Sequence, residues 1–378
     1  MLKKLFALAG LAGIVAVAGC VSTNPHASST KIYIQQKNNE KAMAEAQAWA
    51  ESDPTSGSPY LWMGLIKASQ EDYPGAADEF IKAFEIDSTL KSMEALDKEL
   101  TISGAQVFDG QRVYQVIINA AISKINENKP KEAAPYLEKA IELNPNDAKA
   151  YLLLVNVYEQ AGDMDKAKKA LATADEKDPN NPQVKLHLAL FAEQDGKLDQ
   201  AEKLLKEALK IDTAYAEAYK ELGFVNFERG KKLEEKFDKA KTKKEKESIK
   251  KDIQKYYKAA AENFDKATNL DDKLDEAWLN LGISYIKLEK LPEAVKALEK
   301  YTSMKGNDYN GWFLLAGALA ASEDKADHEK ALEAVNTAIS IKETPDAYNL
   351  KGAVLKKLKR KKEAMKAFKK AMELEAKK

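Results

Sequence analysis

Residues 275–308 read DEAWLNLGISYIKLEKLPEAVKALEKYTSMKGND, and this stretch decides the fold. Its first half carries the residues Trp278, Leu281, Gly282 and Tyr285. They stand at i, i+3, i+4 and i+7, so they share one face of a helix. Gly282 has no side chain, and Ala294 in the second half is small, so two helices can approach closely there. The stretch therefore predicts a helical hairpin.

The pattern recurs at a fixed interval along the chain. Pro145 and Pro179, which each end a helical pattern, are one 34-residue period apart. Read outward from 275–308, the register gives a partial copy at 31–56 and full copies at 57–90, 114–147, 148–181, 182–215, 216–274, 309–344 and 345–378. Each hairpin buries one side on itself and the other on its neighbour. The sequence predicts one all-α array over 31–378, which a β-sheet in the middle of the chain would contradict.

The motif W-x2-L-G-x2-Y, followed by Ala294, closely resembles the tetratricopeptide repeat (TPR). The resemblance covers most of residues 31–378. It implies a TPR α-solenoid, which is a right-handed superhelix of helical hairpins. It also implies that the first helix of each hairpin lines a concave groove.

Two segments interrupt the period. Residues 91–113 stand between two copies and belong to neither, with a loop or short irregular piece at 101–110. Residues 231–255 are inserted inside the copy at 216–274, and they carry 11 Lys and 6 acidic residues without Pro or Gly. Helix formers of this kind predict a helical extension of about 18 Å in each arm of the hairpin. It is either a solvated extension or a docking prong.

The N-terminus has the pattern of an export signal. Lys3 and Lys4 precede an uncharged apolar run over residues 5–17, which is shorter than the ~20 residues of a spanning helix. The run ends in Val-Ala-Gly before Cys20, and this resembles the lipobox of bacterial lipoproteins. The resemblance implies a signal peptide at 1–19 and lipidation of Cys20, and the alternative is an ordinary signal peptide with a chance Cys. Residues 21–30 are small and polar, which predicts a flexible tether over 20–30. The lipobox resemblance further implies a periplasmic location, at the outer membrane if the enteric sorting rule holds.

Composition leaves little material for catalysis. The chain of 378 residues has one Cys and three His, with 60 basic and 60 acidic residues. A single Cys excludes an internal disulfide and a thiolate metal site. His328 lies near several acidic residues, but a solvated turn explains that cluster better than a metal site. His187 is expected on a helix, as a half-buried polar residue. No catalytic motif is present. We therefore expect no enzyme activity, no metal and no cofactor.

Charge is spread unevenly along the chain. Residues 40–110 hold 14 acidic and 5 basic residues, whereas residues 351–378 hold 12 basic and 3 acidic ones. The basic end is either a soluble cap that complements the helix dipole or a site for an acidic partner or membrane surface. Nucleic acid fits the charge but not an exported protein, so we expect no nucleic-acid partner.

In the TPR family, ligands contact defined positions of the first helices. Carried onto this chain, the resemblance gives the candidate groove residues Leu152, Asn156, Leu186, Leu190, Lys220, Phe224, Phe227, Leu279, Ile283 and Phe313. The set is apolar for a groove that faces solvent. It suits a peptide or helix with apolar anchors, unless some of these residues only pack against the neighbouring repeat.

The sequence therefore predicts a lipid-anchored scaffold or adaptor of the bacterial envelope that holds a protein partner, in the assembly of an envelope machine. The rival hypothesis is a substrate- or polysaccharide-binding accessory module of an export or cell-wall synthesis system. A convergent polar pocket in the groove would favour the rival, and an apolar strip would favour the adaptor.

Overall fold

The computed structural model describes residues 24–102, 105–106 and 108–376, with backbone alone at 105–106. The predicted signal peptide and Cys20 lie outside these residues. The chain divides into two compact units, one ending at Asp178 and one beginning at Pro179. Both units consist of helices packed in consecutive pairs.

The first unit contains nine α-helices in its described part. Their bounds are α1 Pro25–Gln35, α2 Asn39–Ser52, α3 Ser58–Ser69, α4 Tyr73–Ile86, α5 Met93–Glu99, α6 Gly110–Asn126, α7 Pro130–Leu143, α8 Ala148–Gln160 and α9 Met164–Lys177. The pairs are α1 with α2, α3 with α4, α6 with α7 and α8 with α9. The short helix α5 packs against α6 and belongs to no pair.

The described part of the second unit holds ten helices in five pairs. They are α10 Pro182–Gln194, α11 Leu198–Ile211, α12 Ala216–Lys239, α13 Lys243–Leu270, α14 Asp275–Lys287, α15 Leu291–Met304, α16 Tyr309–Ala321, α17 Lys325–Ile341, α18 Pro345–Lys357 and α19 Lys361–Glu375. Each helix packs against the next in the chain. This is the all-α arrangement that the 34-residue period predicts.

Tight contacts at glycine hold the two helices of several pairs together. A β-carbon at Gly64 would come within 2.3 Å of Phe80, one at Gly282 within 2.6 Å of Leu298, and one at Gly352 within 2.6 Å of Phe368. In each case the bulky residue follows 16 positions after the glycine. Such contacts leave no room for any side chain at the glycine.

Left-handed turn residues repeat the same period. Residues with positive φ occur at Glu71, Asn128, Gly162, Gly196, Glu289 and Lys359, each between the two helices of a pair. Asn128, Gly162 and Gly196 follow one another at intervals of one repeat period. One further period leads to Gly230, which lies inside α12 and is buried.

The segment 231–255 lies in α12 and α13, which are therefore 24 and 28 residues long and meet at a turn over 240–242. In this pair the contact corresponding to Gly282 and Leu298 is Gly223 against Phe264, at 2.7 Å. Its sequence separation is 41 instead of 16, and the difference equals the length of the segment 231–255. The insertion therefore lengthens both helices and leaves the packing at their base as in the other pairs.

The other interruption contains a short β-hairpin. After α4 come a 3-10 turn at Ser88–Leu90, helix α5, and the strands β1 Thr101–Ile102 and β2 Ala105–Gln106, which pair antiparallel. The hairpin lies outside every helical pair. Each strand is a single dipeptide, so this ladder leaves the repeat architecture unchanged.

The first helix begins earlier than the sequence analysis expects. Residues 25–30, assigned there to a flexible tether, form the first part of α1. Asn24 caps the helix by accepting a hydrogen bond from the backbone N–H of His26, and Pro25 occupies the first turn. Ala27 and Thr30 are fully buried. The partial copy at 31–56 is thus a complete helical pair.

Candidate partner-binding surface

The first helices of the second unit lie side by side. Contacts join α10 to α12, α12 to α14, α14 to α16 and α16 to α18. We call the surface formed by seven side chains on α10, α12, α14 and α16 the first-helix face. Its members are Leu190, Lys220, Phe224, Phe227, Leu279, Ile283 and Phe313, and all are half-buried.

The remaining predicted groove residues do not share this surface. Leu186 of α10 is buried and belongs to the core cluster around α11 and α12. In the first unit, Leu152 is buried and Asn156 is half-buried on α8. The two buried leucines therefore serve packing, which the sequence analysis gives as the alternative to partner binding.

Aromatic side chains on the face also support their own helical pairs. Phe224 meets Phe264 edge-on at a ring-centroid distance of 5.2 Å, and Phe227 meets Tyr257 at 5.3 Å. Phe313 stacks on Tyr309 of the same helix, at 5.6 Å. These rings are held in fixed positions with one side still exposed, as interface anchors require. Ile283 belongs to none of the core clusters of the second unit.

A charged cluster sits beside the apolar part of the face. The ammonium of Lys220 lies 3.0 Å from a carboxylate oxygen of Glu221 and 3.5 Å from one of Glu276, which joins α12 to α14. Burial raises the pKa of Glu221. Burial and the charge of Glu221 raise the pKa of Glu193, on α10, to about 7. One carboxyl oxygen of Glu193 is buried with no hydrogen-bond partner in the described part of the chain.

The sequence analysis finds Lys220 but misses the carboxylates around it. They come from three helices, so no spacing within one helix reveals their proximity. The same holds for Arg229 of α12, whose guanidinium lies 2.6 Å from Asp199 and also contacts Glu202 of α11. These two ion pairs of Arg229 link successive repeats, so they stabilise the packing of the helices.

The signature residues form the core of the α14–α15 pair. Leu281 and Ala294 are buried, and Gly282 receives Leu298. Tyr285 is partly buried and packs against two core clusters. Trp278 donates a hydrogen bond from its indole N–H to the backbone carbonyl of Asp272, at 3.0 Å, and so ties α14 to the preceding turn.

A more polar cleft lies elsewhere on the second unit, between α13, α14 and α15. It has a volume of about 640 Å³. Its lining includes Trp278 and Tyr285 together with Asp265, Asp272, Glu293, Lys296 and Lys300. Lys300 and Asp272 pair with each other at 3.1 Å. This ion pair satisfies two of the charged groups of the cleft.

The histidines show no metal-binding geometry. His328 is buried, and its Nε2 lies 2.7 Å from the carbonyl oxygen of Ser322, whereas the sequence analysis expects it in a solvated turn. His187 is half-buried on α10, and burial lowers its pKa. Among the residues that the structure describes, no three His, Cys, Asp or Glu side chains converge to hold a metal ion. In the same residues, no helix is long and apolar enough to cross a membrane.

Two family models for the tetratricopeptide repeat match the sequence. One covers residues 125–190, and the other matches residues 182–215, 275–308 and 345–378. The last three ranges have the same bounds as three copies of the sequence analysis. No curated protein matches the chain.

Several solved structures are similar in fold. The protein MamA is 24% identical, and the match covers 50% of this chain and 95% of that one with a TM-score of 0.41. YrrB, described as a TPR protein with an unusual peptide-binding site, is 19% identical over 54% of this chain and 92% of its own, with a TM-score of 0.45. The pilF protein of Pseudomonas aeruginosa is 19% identical over 71% and 99%, with a TM-score of 0.48.

The helical pairs, their 34-residue period and the matched ranges agree with one another. The chain carries tetratricopeptide repeats, and its described residues fold as an all-α tetratricopeptide-repeat solenoid.

Proposed function

We propose that this chain is a lipid-anchored scaffold of the bacterial envelope that binds a protein partner through the first-helix face. It acts without a catalytic centre of its own, in the assembly of an envelope machine. The observation that carries the binding proposal is that six half-buried apolar side chains stand on four neighbouring first helices.

The face suits a peptide or helix with apolar anchors. Leu190, Ile283 and Phe313 come from three different helical pairs, so a bound segment would bridge several repeats. Full burial of a side chain of this size contributes roughly 1.5–3 kcal/mol. Leu190, Ile283 and Phe313 are already half-buried, so each contributes only a part of that on binding. The charged group around Lys220 lies beside the apolar side chains and would set the direction of the segment, because polar groups at an interface specify orientation more than affinity.

The charges of the face disfavour nucleic acid. Glu193, Glu221 and Glu276 surround Lys220, so the cluster has more acidic than basic groups. A phosphate backbone binds where Lys and Arg outnumber carboxylates. A protein segment is therefore the better ligand class for this face.

The anchor is proposed from the sequence. Cys20 would carry the lipid and would hold the protein at the periplasmic face of the outer membrane. Helix α1 begins at Pro25, shortly after Cys20. The chain between them spans at most about 18 Å. A lipid on Cys20 would therefore keep the first helical pair close to the membrane surface.

Site-specific photo-crosslinking in intact cells tests the binding proposal. A photoreactive amino acid is placed at Ile283 or Phe313 on the face, and at Leu270 or Ile211 as matched exposed controls, which are 46% and 41% exposed. We expect adducts with one partner protein from the two face positions and none from the controls. Equal adducts from both sets would contradict the proposal.

A second candidate function is a polysaccharide-binding accessory module. The cleft near Trp278 and Tyr285 favours it, because aromatic rings and carboxylates together bind sugars. Titration of purified protein with envelope polysaccharide tests this candidate. Binding that is lost on Asp265→Ala and retained on Ile283→Glu would favour the second function over the first.

A further inference from the structure

The outer side of α19 carries two large exposed apolar residues. Met365 is 73% exposed and Met372 is 68% exposed. They are seven positions apart, so they lie on one side of the helix. We define the α19 outer face as these two methionines with the lysines beside them, Lys361, Lys362, Lys366 and Lys369, which are also exposed.

The repeat register shows what covers this side in the other pairs. Aligning Ala294 of α15 with Ala364 of α19 places Val295 at the position of Met365 and Thr302 at that of Met372. Val295 packs against the core cluster that α16 completes, and Thr302 is 3% exposed.

The second helices of two further pairs bury the corresponding residues as well. In α17 the corresponding residues are Leu332, which is 7% exposed, and Ile339, and both pack in the core cluster that includes α18. In α13 they are Ala261 and Thr268, which are 3% and 2% exposed. In all three pairs the next first helix packs on this side. The α19 outer face thus has the position of a helix-binding surface, and no described residue covers it.

The charges around the methionines select the kind of helix. Lys361, Lys362 and Lys366 form no salt bridge with any described residue, while Lys369 lies 3.9 Å from Glu373. The face is therefore basic along its rim. A second copy of the same face would repel it, whereas a helix with carboxylates beside its apolar side would complement it.

We propose that the α19 outer face binds an acidic amphipathic helix of a partner protein, which packs as the first helix of a following repeat would. The helix would place apolar side chains at i, i+3 or i+4 and i+7 on Met365 and Met372, with Asp or Glu beside the lysines. This surface is separate from the first-helix face, so the two proposals stand or fall independently.

Two synthetic peptides test the proposal. Both take residues 343–358, because this segment contains α18, the helix that covers the corresponding side of α17. One peptide keeps the natural lysines, and the other carries Lys351→Glu, Lys356→Glu and Lys357→Glu. Binding of each labelled peptide to the full-length protein is measured by fluorescence anisotropy at low salt. We expect the acidic peptide to bind at least about tenfold more tightly than the parent.

Variants locate the site. Met365→Gln with Met372→Gln should weaken binding of the acidic peptide by about tenfold or more, because two apolar contacts are lost. Met164→Gln, on an exposed methionine of α9, is the matched control and should leave binding unchanged. Absence of binding, or equal loss with Met164→Gln, would overturn the proposal. Methionine-dependent binding to anionic phospholipid vesicles without peptide binding would also overturn it, in favour of a membrane surface.

Discussion

Gly282 of α14 lies directly against Leu298 of α15, so that a β-carbon on Gly282 would come 2.6 Å from the Leu298 Cγ atom. The helices of this pair can approach only because the side chain is missing. The same relationship recurs at Gly64, Gly223 and Gly352, each against a phenylalanine. It is the contact that brings the two helices of these four hairpins close together.

Gly282→Ala should therefore destabilise the second unit. The added methyl group overlaps a buried leucine, and overpacking of a well-packed core costs about 1–3 kcal/mol. Urea or thermal unfolding followed by circular dichroism measures the change.

The control is Gly317→Ala in α16, where an added β-carbon meets nothing within 4 Å. Alanine is the better helix former, so this change should stabilise by up to about 1 kcal/mol. Equal effects of the two substitutions would show that the close approach at Gly282 is unimportant.

Deletion of residues 231–255 should leave the repeat array folded. The deletion joins Gly230 to Tyr256, and Ala260 then follows Gly230 by five positions, as Ala167 follows Gly162. Gly162 has φ of +78° in the turn of its pair. Gly230 should adopt the same left-handed conformation, and a single cooperative melting transition should remain.

Gly230→Ala compares the conformation of residue 230 in the shortened chain with its conformation in the full chain. In the shortened chain alanine would occupy a left-handed turn, which costs about 1–2 kcal/mol. In the full chain Gly230 is helical, and an added β-carbon would come 3.1 Å from Tyr257. We expect a clear loss of stability in the shortened chain and a smaller one in the full chain. Loss of the melting transition on deletion alone would mean that the inserted residues belong to the core.

Glu193 should make the second unit less stable as pH rises from about 4.5 to 7. Burial raises its pKa from 4.5 to about 7, so the folded state holds a proton that the unfolded state has released within this window. Stability falls with pH wherever the folded state binds more protons. Glu193→Gln removes this dependence, and its melting temperature should exceed that of the natural protein by about 2–4 °C at pH 8.

At pH 4.5 the difference between Glu193→Gln and the natural protein should nearly vanish. Glu217→Gln, which makes the same change at an exposed carboxylate of α12, is the matched control. A constant difference across the pH range would mean that Glu193 is not protonated in the fold.

Cys20→Ala should release the protein from membranes. The proposed anchor is a lipid on Cys20, and alanine at this position has no thiol to carry it. Fractionation of cells into soluble and membrane fractions measures the change, with Ser22→Ala as the control. Retention of Cys20→Ala in the membrane fraction would place the anchor elsewhere.

Periodicity predicts the repeats because the same buried contacts recur at fixed spacing. The separation of Gly223 and Phe264 exceeds the usual one by the length of the segment 231–255, as that interruption predicts. The early start of α1 was missed, although Asn24-Pro25 is a helix-start signal of its own. The boundary of the two units near Asp178 leaves no sign in the sequence, because the repeat period continues through it.

The functional surface is harder to predict than the fold. Leu186 and Leu190 are one turn apart on α10, yet the first is buried and the second half-buried. Family positions alone do not separate them, because exposure depends on how deeply each side chain packs into the core cluster around α11 and α12. The carboxylates around Lys220 come together from different helices, so no spacing within one helix predicts their proximity.

The most direct test of the central claim compares two single substitutions of similar size on neighbouring helices. Ile283→Glu introduces a charge in the first-helix face, and Leu270→Glu introduces one at an exposed position at the end of α13. Affinity for the purified crosslinked partner is measured by calorimetry. We predict that Ile283→Glu weakens binding at least about tenfold with helicity unchanged, while Leu270→Glu has no effect. Unchanged affinity with Ile283→Glu would contradict the account.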